Sequence, residues 1–341
     1  HVETARHYGS SERQLGWALP RTPDSSRLLQ SKVPPRPDPD AFEAELELSF
    51  ERLGCDRLDL LAIHGINLPE HLEQTLQPGG CMEVVRRWQA EGRIGHVGFS
   101  THGPTALIAQ ACDSGAFDYV NLHWYYIRQD NGPALDAARR QDMGVFIISP
   151  TDKGGHLHTP SQRLLELCAP LHPIVFNDLF CLQDPRVHTI SVGAARPEDL
   201  ELHLEALHLL PEAASLIAPV DQRLRQAADE ALGRDWMATW SVGLPPWHAT
   251  PGEINLPVLL WLYNLLEAWD LESYAKARYG LLGSGGHWFA GANADGFDAE
   301  VSAEELQSVL QESPWRERIP EILRSLKQRL KGESQMRLSS V

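Results

Sequence analysis

Short apolar runs rich in β-branched residues alternate with amphipathic stretches from the start of the chain to about residue 210. In one amphipathic stretch, 40–53, Phe42, Leu46 and Phe50 recur every four residues on one helical face. Strands that alternate with helices in this way predict a parallel α/β architecture. The apolar runs predict seven strands, at Val2–Ala5, Leu28–Val33, Leu58–Ile63, Gly95–Ser100, Tyr119–Leu122, Val145–Ser149 and Thr189–Val192.

The remaining segments predict helices. Those between the strands lie at 11–18, 40–53, 81–91, 104–112, 132–141, within 161–182, and at 197–209. Beyond residue 210 the alternation stops, and helices are predicted near 221–232, 256–269 and 271–279, with two more towards the end, divided by Pro314 and Pro320. We therefore predict an α/β domain over 1–210 and a helical C-terminal domain over 211–341.

The composition is that of an ordinary globular protein with an acidic balance. Of its 341 residues 43% are hydrophobic, and the formal net charge is −16. Nucleic acids and anionic membranes bind basic surfaces, so neither is predicted as a partner. No apolar run approaches the ~20 residues of a membrane span, and no signal peptide is visible. Five scattered cysteines without a Cys-x-x-Cys pair favour reduced thiols and a cytoplasmic location. We predict a monomer or weak oligomer.

Four residues with reactive side chains stand at or just past the ends of predicted strands. They are Glu3, Tyr8, Lys32 and His64. A lysine or histidine that closes an apolar run is unusual for packing alone, because burying it without partners costs several kcal/mol. Each residue taken singly is also compatible with a turn or a satisfied polar group. If the first three predicted strands are adjacent and parallel, all four side chains lie together at the carboxyl end of the sheet.

Such a group of side chains suits the reduction of a carbonyl. The developing alkoxide needs a proton, and a free phenol with a pKa near ~10 is a poor acid at neutral pH. A neighbouring ammonium lowers the pKa of a phenol, and a carboxylate fixes that ammonium. Histidine can donate a hydrogen bond to the carbonyl oxygen and orient it.

The first sixteen residues resemble the signature Asp-Thr-Ala-x-x-Tyr-Gly-x-Ser-Glu-x-x-Leu-Gly of the aldo-keto reductases, with Glu3 in the aspartate position. Ser31-Lys32-Val33 and Leu58-Asp59-Leu60 extend the similarity. The resemblance implies a (β/α)₈ TIM-type barrel and the catalytic roles of Tyr8, Lys32, His64 and Glu3. In that family the signature forms the second strand, so we expect this barrel to lack its first strand and helix. We also expect Glu3→Asp to be tolerated, because it restores the commoner residue.

The resemblance also assigns cofactor contacts on the later strands. Ser100 and Thr101 match a Gly-x-Ser-Asn segment that binds the nicotinamide amide, with Thr101 in the asparagine position. Asn121 stands where glutamine is usual. Ile148 replaces an aromatic residue that stacks on the nicotinamide, and Ser149 follows it. The loop 151–155 is either the family's cofactor-covering loop or a plain glycine-rich turn.

The last predicted strand leads into a segment that resembles the family's adenosine-phosphate loop. This segment contains Gly193, Ala194 and Arg196, and a helix that follows it offers free N–H groups to a phosphate. Arg196 can bind a 2′-phosphate in bidentate fashion, which implies NADPH as the cofactor. The alternative is a solvated arginine at a helix start. His203 stands where an adenine-contacting asparagine is common.

The C-terminal part resembles the tail of an aldo-keto reductase subgroup that ends in a ferredoxin-like segment. Similar stretches include Gly243-Leu244-Pro245 and 318–323. The subgroup's cluster cysteines would fall at about 303–314, where Ser313-Pro314 stands in place of the last of them, and no cysteine follows Cys181. We therefore predict a degenerate tail with no iron–sulfur cluster and no other metal site.

Two functions remain open at the level of sequence. The first is an NADPH-dependent oxidoreductase that reduces a small-molecule aldehyde or ketone to an alcohol. The second is a non-catalytic nucleotide-binding or scaffold protein on an eroded reductase fold. A ferredoxin-coupled electron-transfer protein is disfavoured by the absent cysteines. Trp124, Tyr125 and Tyr126 either line an apolar substrate pocket or pack in the core.

Overall fold

The computed structural model describes residues 1–22, 26–285 and 288–332. Within them seven strands form one sheet, in which every strand is parallel to its neighbour and the spatial order follows the chain. The strands are β1 (Val2–Glu3), β2 (Leu29–Val33), β3 (Leu58–His64), β4 (Ile94–Ser100), β5 (Tyr119–Leu122), β6 (Gly144–Ile148) and β7 (Thr189–Ser191). All seven were predicted, with boundaries that differ by at most two residues.

The sheet curves into a nearly closed barrel. Ser191 on β7 donates a hydrogen bond to Glu3 on β1 over 2.5 Å, so the first and last strands approach each other across the interior. All five residues of β2 are buried, as expected for a parallel strand covered on both faces. The carboxyl ends of these strands therefore converge on one end of the barrel, which is where sites of this architecture form.

The interior is filled below that end by aromatic rings. Tyr119 stacks on Phe146 with 5.1 Å between ring centroids. Glycine is required at position 98, because a Cβ there would lie 2.6 Å from the ring of Tyr119. Burial raises the pKa of the Tyr119 hydroxyl well above its ordinary value, and the charges of Glu3 and Asp118 act in the same direction.

By packing, the described part of the chain divides into two compact units. The first comprises His1–Pro150 and Asp184–Gly193, and the second comprises Thr151–Gln183 and the residues from Ala194 onward. The helices of the first unit are α1 (Ser11–Ala18), α2 (Pro39–Leu53), α3 (Pro69–Leu76), α4 (Cys81–Ala90), α5 (Thr105–Asp113) and α6 (Gly132–Arg140).

Helix α2 shows how local sequence sets these elements. Its N-cap Asp38 accepts a hydrogen bond from the backbone N–H of Asp40 over 3.0 Å, and Gly54 ends it in the left-handed conformation. The apolar face predicted from the four-residue spacing is buried. Helix α3 was not predicted, since Leu72 is its one fully buried leucine and gives little periodic signal.

The second unit is helical. A short helix α7 (Pro150–Lys153) begins at the junction of the units, and the others are α8 (Gln162–Cys168), α9 (Pro173–Leu182), α10 (Glu201–Leu209), α11 (Ala213–Leu232), α12 (Arg234–Thr239), α13 (Leu256–Trp269), α14 (Glu272–Tyr279), α15 (Ala303–Ser308) and α16 (Ile319–Leu330). The Arg163 guanidinium on α8 donates to the Ala268 carbonyl on α13 over 2.8 Å, so residues before 184 pack with the C-terminal helices. The domain boundary at residue 210 stays a prediction.

Three predicted elements of this unit differ from the observed ones. Helix α11 begins eight residues before its predicted start and continues through Pro219. The stretch 161–182 forms two helices rather than one. Pro320 lies in the first turn of α16, where a missing N–H is tolerated, so it does not divide two helices. In the described ranges no single helix has the length and apolarity to cross a membrane; α8 and α9 pass that test only as a bent pair.

Candidate active site

The centre of the site is a buried ion pair between β1 and β2. Lys32 is 2% exposed, and its Nζ donates to Glu3 Oε1 over 2.5 Å and to the Thr4 carbonyl over 3.0 Å. Burial acts to lower the pKa of Lys32, but the Glu3 carboxylate and the Tyr8 phenol outweigh it, so the pKa is raised above its ordinary value of 10.5. The lysine is therefore a fixed cation.

The Glu3 carboxylate is also held from the far side of the barrel. Its Oε2 accepts a hydrogen bond from Ser191 Oγ over 2.5 Å and one from Asn121 Nδ2 over 3.3 Å. The amide of Asn121 is oriented in turn, because its Oδ1 accepts from Gln30 Nε2 over 2.9 Å. The His1 ring also approaches Oε2, at 3.4 Å. Sequence reasoning missed Gln30 and Ser191, because these contacts join strands remote in sequence.

Tyr8 and His64 complete the group at the open end of the barrel. Lys32 Nζ lies 5.0 Å from the centroid of the Tyr8 ring, and the Tyr8 and His64 rings meet edge to face with 5.6 Å between centroids. The Tyr8 side chain is 42% exposed, so a small molecule can reach it. The structure thus brings together all four residues singled out as catalytic, and their roles stay predictions.

The residues predicted to contact the cofactor in the first unit lie at the ends of β4, β5 and β6. Ser100 Oγ accepts from the Gly65 N–H over 3.1 Å, and Thr101 Oγ1 donates to the Ile66 carbonyl over 2.7 Å. Ile148 ends β6, and Ser149 follows in a left-handed conformation with φ of 45°. Gly193 closes the unit. The hydroxyl of Thr101 therefore holds the loop between β3 and α3 through its bond to Ile66.

A chain of polar side chains supports the end of β6 from beneath. His102 Nδ1 lies 2.6 Å from His123 Nε2, and His123 Nδ1 lies 2.8 Å from the Tyr125 hydroxyl. That hydroxyl donates to the carbonyl of Ile148. Trp124 and Tyr125 are buried, while Tyr126 is half-buried. Tyr125 is thus a core residue that holds the end of β6. The sequence alone had left open whether it packs in the core or lines a substrate pocket.

In the second unit, Ala194 and Arg196 lie in the loop before a short 3₁₀ turn. The Arg196 side chain is 74% exposed and donates to Asp199 Oδ1 over 3.0 Å. Asp199 Oδ2 accepts from the N–H groups of Ala195 and Arg196, and these bonds, with that of the guanidinium, hold its pKa below the ordinary value. The N–H groups predicted to bind a phosphate are therefore already engaged by a carboxylate.

His203, in the position of the family's adenine-contacting asparagine, faces the interior of the second unit. Its Nδ1 pairs with Asp178, and its Nε2 lies 3.5 Å from Thr151 Oγ1. Burial raises the pKa of the Asp178 carboxyl, against the opposite effect of His203. The imidazole is buried, and its described contacts join α9 and α10 to the short helix α7, which occupies most of the segment predicted as a loop at 151–155.

Purified protein is expected to be colourless and free of stoichiometric iron. The chain has no cysteine beyond Cys181, and Ser313 is buried where the last cluster ligand would stand. Across the described ranges no group of three or more His, Cys, Asp or Glu side chains could hold a metal ion. Metal analysis with visible absorbance checks this; a brown preparation with stoichiometric iron and sulfide would contradict it.

The strand ends are those of a parallel barrel that gathers Glu3, Lys32, Tyr8 and His64 at one end. Residues 1–168 match the model of the aldo/keto reductase family. This match shows an aldo/keto reductase domain, as the sequence resemblance predicted, and it supports an oxidoreductase. No curated protein matches the chain.

Solved structures confirm the predicted TIM-type barrel. The structure is similar to an aldo-keto reductase from Bacillus halodurans in its holo form, with a TM-score of 0.55, 17% identity, and coverage of 65% of this chain and 81% of that one. It is also similar to a thermostable aldo-keto reductase in complex with the inhibitor epalrestat, with a TM-score of 0.51, 20% identity, and coverage of 63% and 81%. At these identities the likeness concerns the fold.

Proposed function

We propose that the protein is an NADPH-dependent oxidoreductase that reduces an aldehyde or ketone to an alcohol. The observation that carries this proposal is the buried Lys32–Glu3 pair beneath the exposed phenol of Tyr8, with His64 at its edge. A purely structural ion pair needs neither an exposed tyrosine nor a histidine at the same strand ends. Together the four groups can bind a carbonyl oxygen and protonate it.

Each side chain has a distinct task in the proposed reaction. The Tyr8 hydroxyl and the His64 ring donate hydrogen bonds to the carbonyl oxygen, which orients the substrate. As the alkoxide forms, the Tyr8 O–H bond breaks and its proton passes to the alkoxide oxygen, giving the alcohol. The Lys32 ammonium stabilises the phenolate that remains, and Glu3 keeps the ammonium in place.

The donor set fits a nicotinamide cofactor, which when bound would supply the hydride. Ser100 and Ser149 carry hydroxyls for its amide, and Ile148 offers an apolar contact. The described bonds of Asn121, the other residue predicted to contact the cofactor, go to Gln30 and Glu3. In the phosphate loop, Arg196 presents an exposed guanidinium to a 2′-phosphate, beside Gly193 and Ala194. A phosphate there would compete with the Asp199 carboxylate for the two N–H groups.

The competing proposal is a non-catalytic nucleotide-binding or scaffold protein. It is favoured by the bond of Thr101 to Ile66 and by Ile148 in place of an aromatic ring. A panel of aromatic and short aliphatic aldehydes and ketones, assayed by NADPH consumption, separates the two functions. Cofactor binding without turnover of any carbonyl would favour the scaffold.

Arg196→Ala is expected to remove a preference for NADPH over NADH of about tenfold, because a charge-assisted bond to the 2′-phosphate is lost. Titration calorimetry of both cofactors against parent and variant measures the preference. Arg234→Ala, another exposed arginine of the second unit, should leave it intact. Equal affinities of the parent protein for the two cofactors would refute the role of Arg196.

The remaining features of this proposal concern the setting of the enzyme. We propose a small-molecule carbonyl substrate as its partner, with no nucleic acid or membrane partner, on the basis of the acidic balance. None of the five cysteines, all of which lie in the described ranges, forms a disulfide bond, in keeping with the proposed cytoplasmic location. A monomer or weak oligomer is the proposed solution state, which light scattering over a range of concentrations would test.

A further inference from the structure

The Glu3 carboxylate has a divided set of partners. Its Oε1 faces the Lys32 ammonium at 2.5 Å. Its Oε2 accepts from two neutral donors, Ser191 Oγ and Asn121 Nδ2, and the His1 ring lies 3.4 Å from it. These donors come from β7 and β5, whereas the lysine comes from β2. The carboxylate plane is therefore fixed from three strands, so its position does not depend on the ion pair alone.

The direction of each hydrogen bond is determined. A carboxylate only accepts, so the Asn121 NH₂ group must point at Glu3 and its carbonyl must point away. Gln30 Nε2 fixes that choice, because it donates to Asn121 Oδ1 over 2.9 Å. The amide of Asn121 is thus committed to Gln30 on one side and to Glu3 on the other.

The lengths of the side chains at positions 3 and 121 are complementary. Glutamate at position 3 is one methylene longer than the aspartate of the signature, and asparagine at position 121 is one methylene shorter than glutamine. One methylene is about 1.5 Å. Glu3→Asp would leave a gap between carboxylate and amide, and Asn121→Gln would drive the amide into the carboxylate, since the present separation is 3.3 Å.

We propose that Asn121 and Ser191 are positioning residues, which hold Glu3 on Lys32, and that the side-chain lengths at positions 3 and 121 are matched to each other. The proposal rests on the proposed carbonyl reduction for its kinetic test. It replaces the expectation that Glu3→Asp is tolerated. It also gives Asn121 a task distinct from the cofactor contact that the family resemblance implies.

The test is a cycle of four proteins: the parent, Glu3→Asp, Asn121→Gln and the double variant. Each single change should lower kcat by about tenfold, because the ammonium beneath the phenol is displaced. The double variant should recover to within about threefold of the parent, since contacting sites couple. Cofactor Kd should stay constant throughout. Ser191→Ala should lower kcat in the same way, again without a change in cofactor Kd.

The same four proteins can also be compared by their free energies of unfolding, a measurement that does not depend on enzyme activity. Urea unfolding should show that the double variant loses less stability than the sum of the single losses. Asn264→Gln is a matched control, because this buried asparagine of the second unit accepts from Trp236 and should change stability without changing kcat. This control separates a general packing defect from the positioning of Glu3.

Two results would overturn the proposal. The first is a raised cofactor Kd with unchanged kcat in Asn121→Gln, which would make Asn121 a cofactor contact. The second is strict additivity of the substitutions at positions 3 and 121 in the unfolding cycle. If the parent protein reduces no carbonyl, the proposed function fails separately, and the unfolding cycle still decides whether the two positions are coupled.

Discussion

Replacing Tyr8 with phenylalanine is expected to lower turnover by at least ~10²-fold, which is the usual contribution of a positioned general acid. The ring would still pack against His64, whose centroid lies 5.6 Å away, so the change removes the hydroxyl and little else. The affinity for cofactor should be nearly unchanged, because the phenol acts on the substrate oxygen. Steady-state kinetics on the best carbonyl of the panel, with cofactor Kd measured separately, checks both parts.

Tyr263→Phe provides the matched control for this experiment. Tyr263 packs edge to face on Trp236 in the second unit and has no part in the proposed reaction. Loss of its hydroxyl should therefore leave kcat unaltered. A Tyr8→Phe protein as active as the parent would show that the proton comes from elsewhere. If neither the parent nor Tyr8→Phe reduces any carbonyl, the nucleotide-binding scaffold becomes the better explanation.

Lys32→Met is expected to abolish most of the turnover and to destabilise the fold by about 3 kcal/mol, because Glu3 would lose its cationic partner. Lys32 is almost fully buried, while the Glu3 side chain is 14% exposed, so the lower end of the range for broken buried pairs applies. Urea unfolding at neutral pH measures the loss. Lys276→Met, at an exposed lysine, should have little effect.

The pH dependence of this stability difference has a definite sign. The pKa of Lys32 is higher in the folded protein than its ordinary value of 10.5, so the folded state binds the proton more tightly. The stabilisation is fully present below 10.5 and is lost as pH rises through the folded pKa. From neutral pH up to about 10 the gap between parent and Lys32→Met should therefore be constant, and it should shrink in strong alkali. A gap that already closes between neutrality and a pH of about 10 would contradict the pairing.

The central strands could be predicted because they are buried on both faces. In β3, for example, five of seven residues are buried, and 60–63 form a continuous apolar run in the sequence. The same principle revealed Lys32 and His64, because a cation or imidazole at the end of such a run is conspicuous. The order of the strands then followed from the rule that sequential parallel strands are neighbours.

The rest of the site depends on contacts that no local pattern records. Asn121, on β5, was predicted to contact the cofactor because the family resemblance places a glutamine there, and its described bonds go to Gln30 and Glu3. His203 stands where an adenine-contacting asparagine is common in the family, and its ring pairs with Asp178 inside the second unit. Both are polar residues at positions whose orientation is set by partners far away in the chain. Side-chain direction, rather than secondary structure, was what the sequence left undetermined.

The bond between Glu3 and Ser191 has a consequence for the order of folding. The two residues are separated by 188 positions, and the strand that carries Ser191 returns to the first unit only after the chain has contributed 151–183 to the second. Contacts this remote form late, since they must overcome a large loop-closure entropy. During synthesis Glu3 emerges from the ribosome long before Ser191 does, because 187 residues lie between them in the chain. It acquires its last donor only when β7 has been made, so the site becomes competent at the end of the first unit's assembly.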